Sequence, residues 1–229
     1  YACKAPTVNN DNINKTLIIM IPNTEDYGGV TYMWDDGSAI AYCPMSDYGY
    51  PLDFRGVIQH EAGGHGFGKL GDEYIYHNAF IQACNCTCCP HAYELMSAQS
   101  KGWFQNLSLT GKMSDVPWRN FIFHEKYSGF VDIFEGGYMH SRGVFRSEQN
   151  SCMNNEIPYY STISRYEIVK RIMEYAGEPF SFDKFVENDI VEAVAETAAT
   201  KDGNTGMDSR SASMNSHEPV FMGERKTLR

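Results

Sequence analysis

The sequence has no apolar run long enough to cross a bilayer. Its longest, Leu17–Ile21, is strand-sized and is stopped by Pro22, whereas a membrane helix needs about 20 apolar residues in succession. Positive charge is also scarce: 19 lysines and arginines stand against 29 acidic residues, a formal charge of −10. Nucleic-acid binding rests on neutralising phosphates with a basic surface, so that class of partner is excluded. The chain opens on Tyr1-Ala2-Cys3-Lys4, without an initiator Met or a signal-like apolar segment. It reads as a mature form, an excised domain or a fragment. No internal repeat recurs along it.

What is present suits a folded globular protein. The 229 residues are enough for one large domain or two small ones with a real core. Seven cysteines include the crowded run Cys84, Cys86, Cys88 and Cys89. That density fits a secreted, periplasmic or cell-surface setting better than the cytosol, and the odd count leaves at least one thiol over. The run admits three readings: disulfides within it or to Cys43, a thiolate site for a soft metal, or free thiols. Sequons stand at Asn14, Asn85 and Asn106.

Hydrophobic periodicity predicts an α+β chain. Thr16–Pro22 reads as a buried strand and Ser38–Met45 as a second, joined by a connection rich in Gly and Asp. Phe54, Val57, Ile58 and Glu61 recur at helical intervals, and five glycines between Gly63 and Gly71 should end that helix. The chain to Ser151 is aromatic-rich and reads as loop-dominated, with a helix near Ala92–Phe104. A further helix begins at Ser161 or Thr162 as cap, carries Ile163, Tyr166, Val169, Ile172 and Met173 as its stripe, and stops at Gly177. A second, acidic helix covers Phe182–Thr200. From Lys201 the chain is a polar, low-apolar linker, and the last segment, from His217, has enough apolar content to dock. We therefore expect a domain over 1–200 and a polar linker and tail over 201–229.

The chemistry concentrates in His60-Glu61-Ala62-Gly63-Gly64-His65. Hydrolytic zinc sites need three protein ligands, an open position for water and a base beside it. His60 and His65 offer imidazoles and Glu61 the base. In an α-helix, residues five apart point about 140° away from each other. A single-turn π-bulge brings them onto one face, and Gly63-Gly64 is where it falls, since no Cβ resists the distortion. Two interior glycines weaken a helix by about 2 kcal/mol, which a bound zinc, at about 10 kcal/mol or more, offsets. Downstream, Gly68 lets the chain turn sharply, and Asp72 closes a His-His-Asp tripod with Glu73 as its rival. His77 and His91 follow, near enough in sequence to be ligands if Asp72 is not but ranked as surface residues for want of a spacing argument, and Met153 lies in a polar, turn-like setting.

These pieces carry a resemblance. His60-Glu61, His65, Phe67, Leu70–Tyr74, Glu135-Gly136-Gly137, Arg142-Gly143-Val144, Arg146 and Cys152-Met153 resemble the IgA-peptidase family of metallopeptidases, of the metzincin clan. The likeness runs from about Ile18 to Gly177. It implies a zincin-like catalytic domain with a small mixed sheet, an active-site helix and an irregular C-terminal subdomain. It also implies a zinc endopeptidase of secreted or cell-surface bacterial type, acting on a protein or peptide substrate. His60, His65 and Asp72 would hold zinc, Glu61 would be the general base, and Met153 would be the methionine of the turn beneath the metal.

The sequence departs from the clan pattern in places. The His-to-His gap is one residue longer, and so is the step from Gly68 to Asp72. Fewer residues precede His60 than a metzincin N-terminal sheet and its backing helix use, so that part is expected to be missing. Asn155 stands where some metzincins have a metal-site tyrosine, with Tyr159 and Tyr160 as substitutes. Arg146 is a candidate for oxyanion or substrate contact, with an ordinary salt bridge as the alternative. Two other readings stay open: an inactive zinc-holding adhesion module derived from a peptidase fold, and a disulfide-stapled surface protein without metal.

Overall fold

The computed structural model describes residues 4–25, 28–49, 52–83, 89–155, 157–191 and 219–225. The chain divides into two compact units, residues 1–69 with 214–229 and residues 70–213. Both combine short helices with a small sheet, so the chain is α+β with mixed sheets.

In the first unit, a 3-10 turn at Ile13–Lys15 leads into β1 (Leu17–Met20), followed by β2 (Val30–Met33) and β3 (Ala39–Tyr42). β3 lies between β1, which it pairs in parallel, and antiparallel β2. The expectation of a buried first strand fails in part: β1 is an edge strand, and Ile19, Met20 and Ile21 stay exposed. β2 falls where the sequence suggested only a connection, because its four residues are hemmed by Gly28-Gly29 and Asp35–Gly37. α1 (Phe54–Ile58) is capped by Asp53, whose side chain accepts from the Arg55 amide. The chain then runs on helically to Gly68. Ala41, Cys43, Val57 and Ala62 form the core, with Leu17, Phe54 and Ile58 against it. Cys43 sits inside that core as a thiol, which corrects the disulfide expected for it. Burial pushes this thiol up to about 12, with the Glu61 carboxylate adding to the effect.

The second unit holds β4 (Ile75–Phe80), α2 (Pro90–Ser100), β5 (Leu107–Ser108), α3 (Arg119–Ile122), β6 (Phe134–Gly137), β7 (Met139–Arg146), α4 (Cys152–Asn155), α5 (Thr162–Ala176) and α6 (Phe182–Asn188). The loop-dominated region expected up to Ser151 is thus organised around a sheet. β7 is its centre, pairing β4 in parallel and both β5 and β6 antiparallel. Ladder hydrogen bonds make that sheet without an alternating pattern, and β4 and β6 each slip register along β7.

α5 begins and ends where its caps dictate. Ser161 accepts from the Ser164 amide, and Gly177 takes the left-handed conformation at φ 70° that glycine tolerates best. Ile163, Tyr166 and Val169 of its stripe pack with Trp118, Phe121, Tyr127 and Phe185, while Ile172 faces solvent. α6 is shorter than its acidic pattern suggested, closing at Asp189. The expected helix beyond residue 191, the linker over 201–216 and three of the crowded cysteines, Cys84, Cys86 and Cys88, lie outside the described residues. The apolar end segment does dock: β8 (Val220–Phe221) pairs β2 in parallel.

Candidate metal centre

The stretch after α1 changes helical gauge. From Gln59 to Gly68 the backbone is π-helical over ten residues, where the sequence suggested a single-turn bulge. Bonding from i to i+5 stacks residues five apart on one face, so His60 and His65 meet with Nε2 atoms 3.1 Å apart. Their rings stand edge-on at 75°. Gly63, Gly64, Gly66 and Gly68 free the backbone from Cβ conflicts along the stretch. At Gly66 the space is used directly, since a Cβ there would lie 2.6 Å from Leu17 Cδ1 of β1. The sharp turn expected at Gly68 comes one residue later. Lys69 takes the left-handed conformation at φ 54°, and its buried Nζ donates to the Gly66 carbonyl at 2.8 Å.

His60, His65 and Asp72 each offer a ligand atom, all within 4.8 Å of one another and all buried. They belong to one short, unbroken stretch of chain. This group could hold a metal ion. Two imidazoles and a carboxylate are borderline-to-hard donors, which zinc and several first-row neighbours accept.

Glu73, the rival ligand, is engaged elsewhere. Its Oε1 accepts from Asn106 Nδ2 at 2.9 Å and its Oε2 from the Ser151 hydroxyl at 2.5 Å. Burial pushes its carboxyl up to about 7, against the opposing effect of those two hydrogen bonds. Asn106 also clasps Gly71, donating to its carbonyl and accepting from its amide, both at 2.8 Å. A fully buried, doubly engaged amide is no place for a glycan, so the Asn106 sequon is structural.

Glu61 is buried beside His60, and Thr31 of β2 reaches it twice. The Thr31 hydroxyl lies 2.7 Å from Oε2 and 2.9 Å from the Glu61 carbonyl. A hydroxyl has one proton to give. When it donates to the carbonyl, a protonated Glu61 can donate to Thr31 Oγ1; when it donates to Oε2, the carboxylate is served. The contact therefore serves Glu61 in either protonation state. Gly29 leaves the room: a Cβ there would lie 2.5 Å from Glu61 Cγ.

Met153 is fully buried in α4, and its carbonyl accepts from the Glu73 amide at 2.8 Å. α4 is thereby tied to the backbone one residue past Asp72. Arg146 is engaged with carbonyls, donating to Gly136 at 2.7 Å, Glu135 at 3.2 Å and Gln149 at 3.3 Å. Burial holds its guanidinium below the usual range, against the pull of the Glu73 carboxylate. The Tyr159 hydroxyl donates to Glu148, and its ring lies beneath the Arg165 guanidinium. The Tyr160 carbonyl accepts from Arg165 at 2.6 Å.

Thr31, Gly29, Asn106 and Ser151 escaped the sequence reading. All four act on residues far away in the chain, and only the sequon drew attention to one of them. Compared with known proteins, the chain matches no family model and no curated protein.

Proposed function

We propose that the chain is a zinc-dependent endopeptidase, secreted or displayed at the cell surface, as its resemblance to the IgA-peptidase family implies. One observation carries the reading: two imidazoles and a carboxylate converge in a buried group beside a buried glutamate. The donor set fits zinc, which accepts His and Asp ligands together and leaves a position open when only three protein atoms bind. His60, His65 and Asp72 would hold the ion. When bound, zinc supplies Lewis acidity, lowering the pKa of a water and polarising a carbonyl.

The remaining work falls to the chain. Glu61 takes a proton from the attacking water as its oxygen bonds to the scissile carbonyl carbon. It then gives that proton to the amine nitrogen as the C–N bond breaks. Thr31 keeps the Glu61 side chain in place through both halves of the transfer. Glu73, Asn106 and Ser151 hold the Gly71–Glu73 backbone from which Asp72 projects.

Replacing Glu61 with Gln tests this. The variant should keep its zinc and lose hydrolysis of unfolded protein, whereas His65→Ala should also lose the zinc held by the His60 group. An E61Q protein that cleaves at the parent rate would sink the base assignment. A second reading has one observation in its favour: His60, Glu61, His65 and Asp72 are each at most 1% exposed. Closed sites are the structural kind, so a metal held for folding alone is the rival. A zinc-replete parent that hydrolyses no unfolded protein would decide for it.

A further inference from the structure

We infer that the second unit carries a separate site for a borderline transition-metal ion, built by the imidazoles of His91 and His140 with His77 beside them. None of the three belongs to the group around His60. Three elements bring them together. His77 of β4 and His140 of β7 are direct partners in the parallel ladder, so neighbouring strands present both on one face. His91 comes from the first turn of α2, whose N-cap is Cys89.

The geometry of the closest pair repeats that of the candidate metal centre. His91 Nδ1 and His140 Nε2 are 2.8 Å apart, with rings 5.1 Å apart at 75°. For His60 and His65 the nitrogens are 3.1 Å apart and the rings 4.8 Å apart, also at 75°. Two imidazoles on one zinc, with bonds of about 2.0–2.1 Å at tetrahedral angles, place their nitrogens about 3.3 Å apart. A shift of about half an ångström in two side chains therefore admits an ion.

A plain hydrogen bond between neutral imidazoles accounts for the His91–His140 contact alone. It leaves unexplained why a third imidazole, the exposed His77, stands with its ring 6.4 Å from that of His140. An ion uses all three: two half-buried ligands fixed by a strand and a helix, and one that closes from solvent. Imidazole donors of this kind select zinc, cobalt, nickel or copper over calcium and magnesium.

The test uses cobalt(II) alone, titrated into the metal-free full chain carrying His65→Ala, which disables the first group. The expected result is one bound ion with visible ligand-field bands and no near-ultraviolet thiolate charge-transfer band. Affinity should fall about tenfold or more, a loss that even outer-shell partners can cause, on adding either His140→Ala or His91→Ala. The His91 variant guards against misfolding, because alanine is favoured in a helical turn, and its circular dichroism should match the parent's. Cobalt binding that ignores both replacements would overturn the site, as would a charge-transfer band marking the cysteines as the ligands. The His65→Ala background makes the outcome independent of whether the chain is a peptidase.

Discussion

Gly29 allows the role of Glu61 to be examined without altering Glu61. An alanine Cβ at this position would lie 2.5 Å from Glu61 Cγ, 2.9 Å from Oε1 and 3.0 Å from Cδ. Carbon atoms settle at about 3.5–4.0 Å, so the side chain must retreat by about 1 Å. The backbone gives little, since the Glu61 carbonyl is bonded to Thr31 and lies within the π-helical stretch. The carboxylate swings instead, away from its 2.7 Å contact with the Thr31 hydroxyl. Misplacing a catalytic group by about 1 Å costs about a hundredfold in rate, equivalent to about 2.7 kcal/mol in the barrier. Overpacking removes about 1–3 kcal/mol of stability besides. The assay is hydrolysis of a quenched fluorescent unfolded protein by parent and Gly29→Ala, with zinc content and Tm measured on the same samples. Zinc should stay and kcat should fall, with KM little changed. Full activity with the alanine in place would refute the reasoning, and so would activity lost only together with the zinc.

Asn106→Ala should destabilise the chain by about 3 kcal/mol or more, since it strips partners from the Gly71 amide, the Gly71 carbonyl and Glu73 in a buried setting; urea unfolding measures it. Burial holds the Glu148 carboxyl above its usual range, against hydrogen bonds from Thr162 and Tyr159. A group that holds its proton more tightly when folded contributes stability that is full below its unfolded pKa and lost as pH rises through the folded one. Between pH 4 and 8, Tm of the parent should therefore fall relative to Glu148→Gln, and parallel curves would remove Glu148 as the cause. Chelation should lower Tm of the parent by more than that of His65→Ala, which lacks the His60 group and keeps only the second site, because an ion bound only by the folded chain stabilises it by mass action.

How legible the site was depended on distance along the chain. His60, Glu61 and His65 sit close together, so helical geometry and ligand chemistry were enough to single them out, and the glycines announced the widened helix; between Asp72 and Glu73 the sequence left the third ligand open. The length of that widening was not announced, and one contact made within it, Gly66 against Leu17 of β1, joins residues far apart in the chain. The residues that hold the site belong to other segments. Asn106 reaches Gly71 across 35 positions and Ser151 reaches Glu73 across 78, separations no local pattern encodes. The second sheet was hidden for a related reason. β4 carries His77 and Asn78, and β7 carries Arg142 and Gly143, so neither alternates cleanly. Their pairing also slips register, and a slip moves side chains between faces. The helices fared better where caps did the work, as at Ser161 and Gly177.

The strand that completes the first sheet arrives last. β8 pairs Val220 with Tyr32 and Phe221 with Met33, and Arg225 Nε donates to Asp36 at 2.8 Å. On the ribosome, all of residues 70–213 emerges between the two halves of this unit. At about 5–20 residues per second, β2 waits on the order of ten seconds for its neighbour. Through that interval its outer edge presents unpaired backbone groups, the template on which other chains aggregate. Closing so long a loop also slows folding, since its entropy must be lost before the pairing is gained. Val30–Met33 of a nascent chain therefore needs cover until β8 is made, and removal of Val220–Phe221 would expose that edge again.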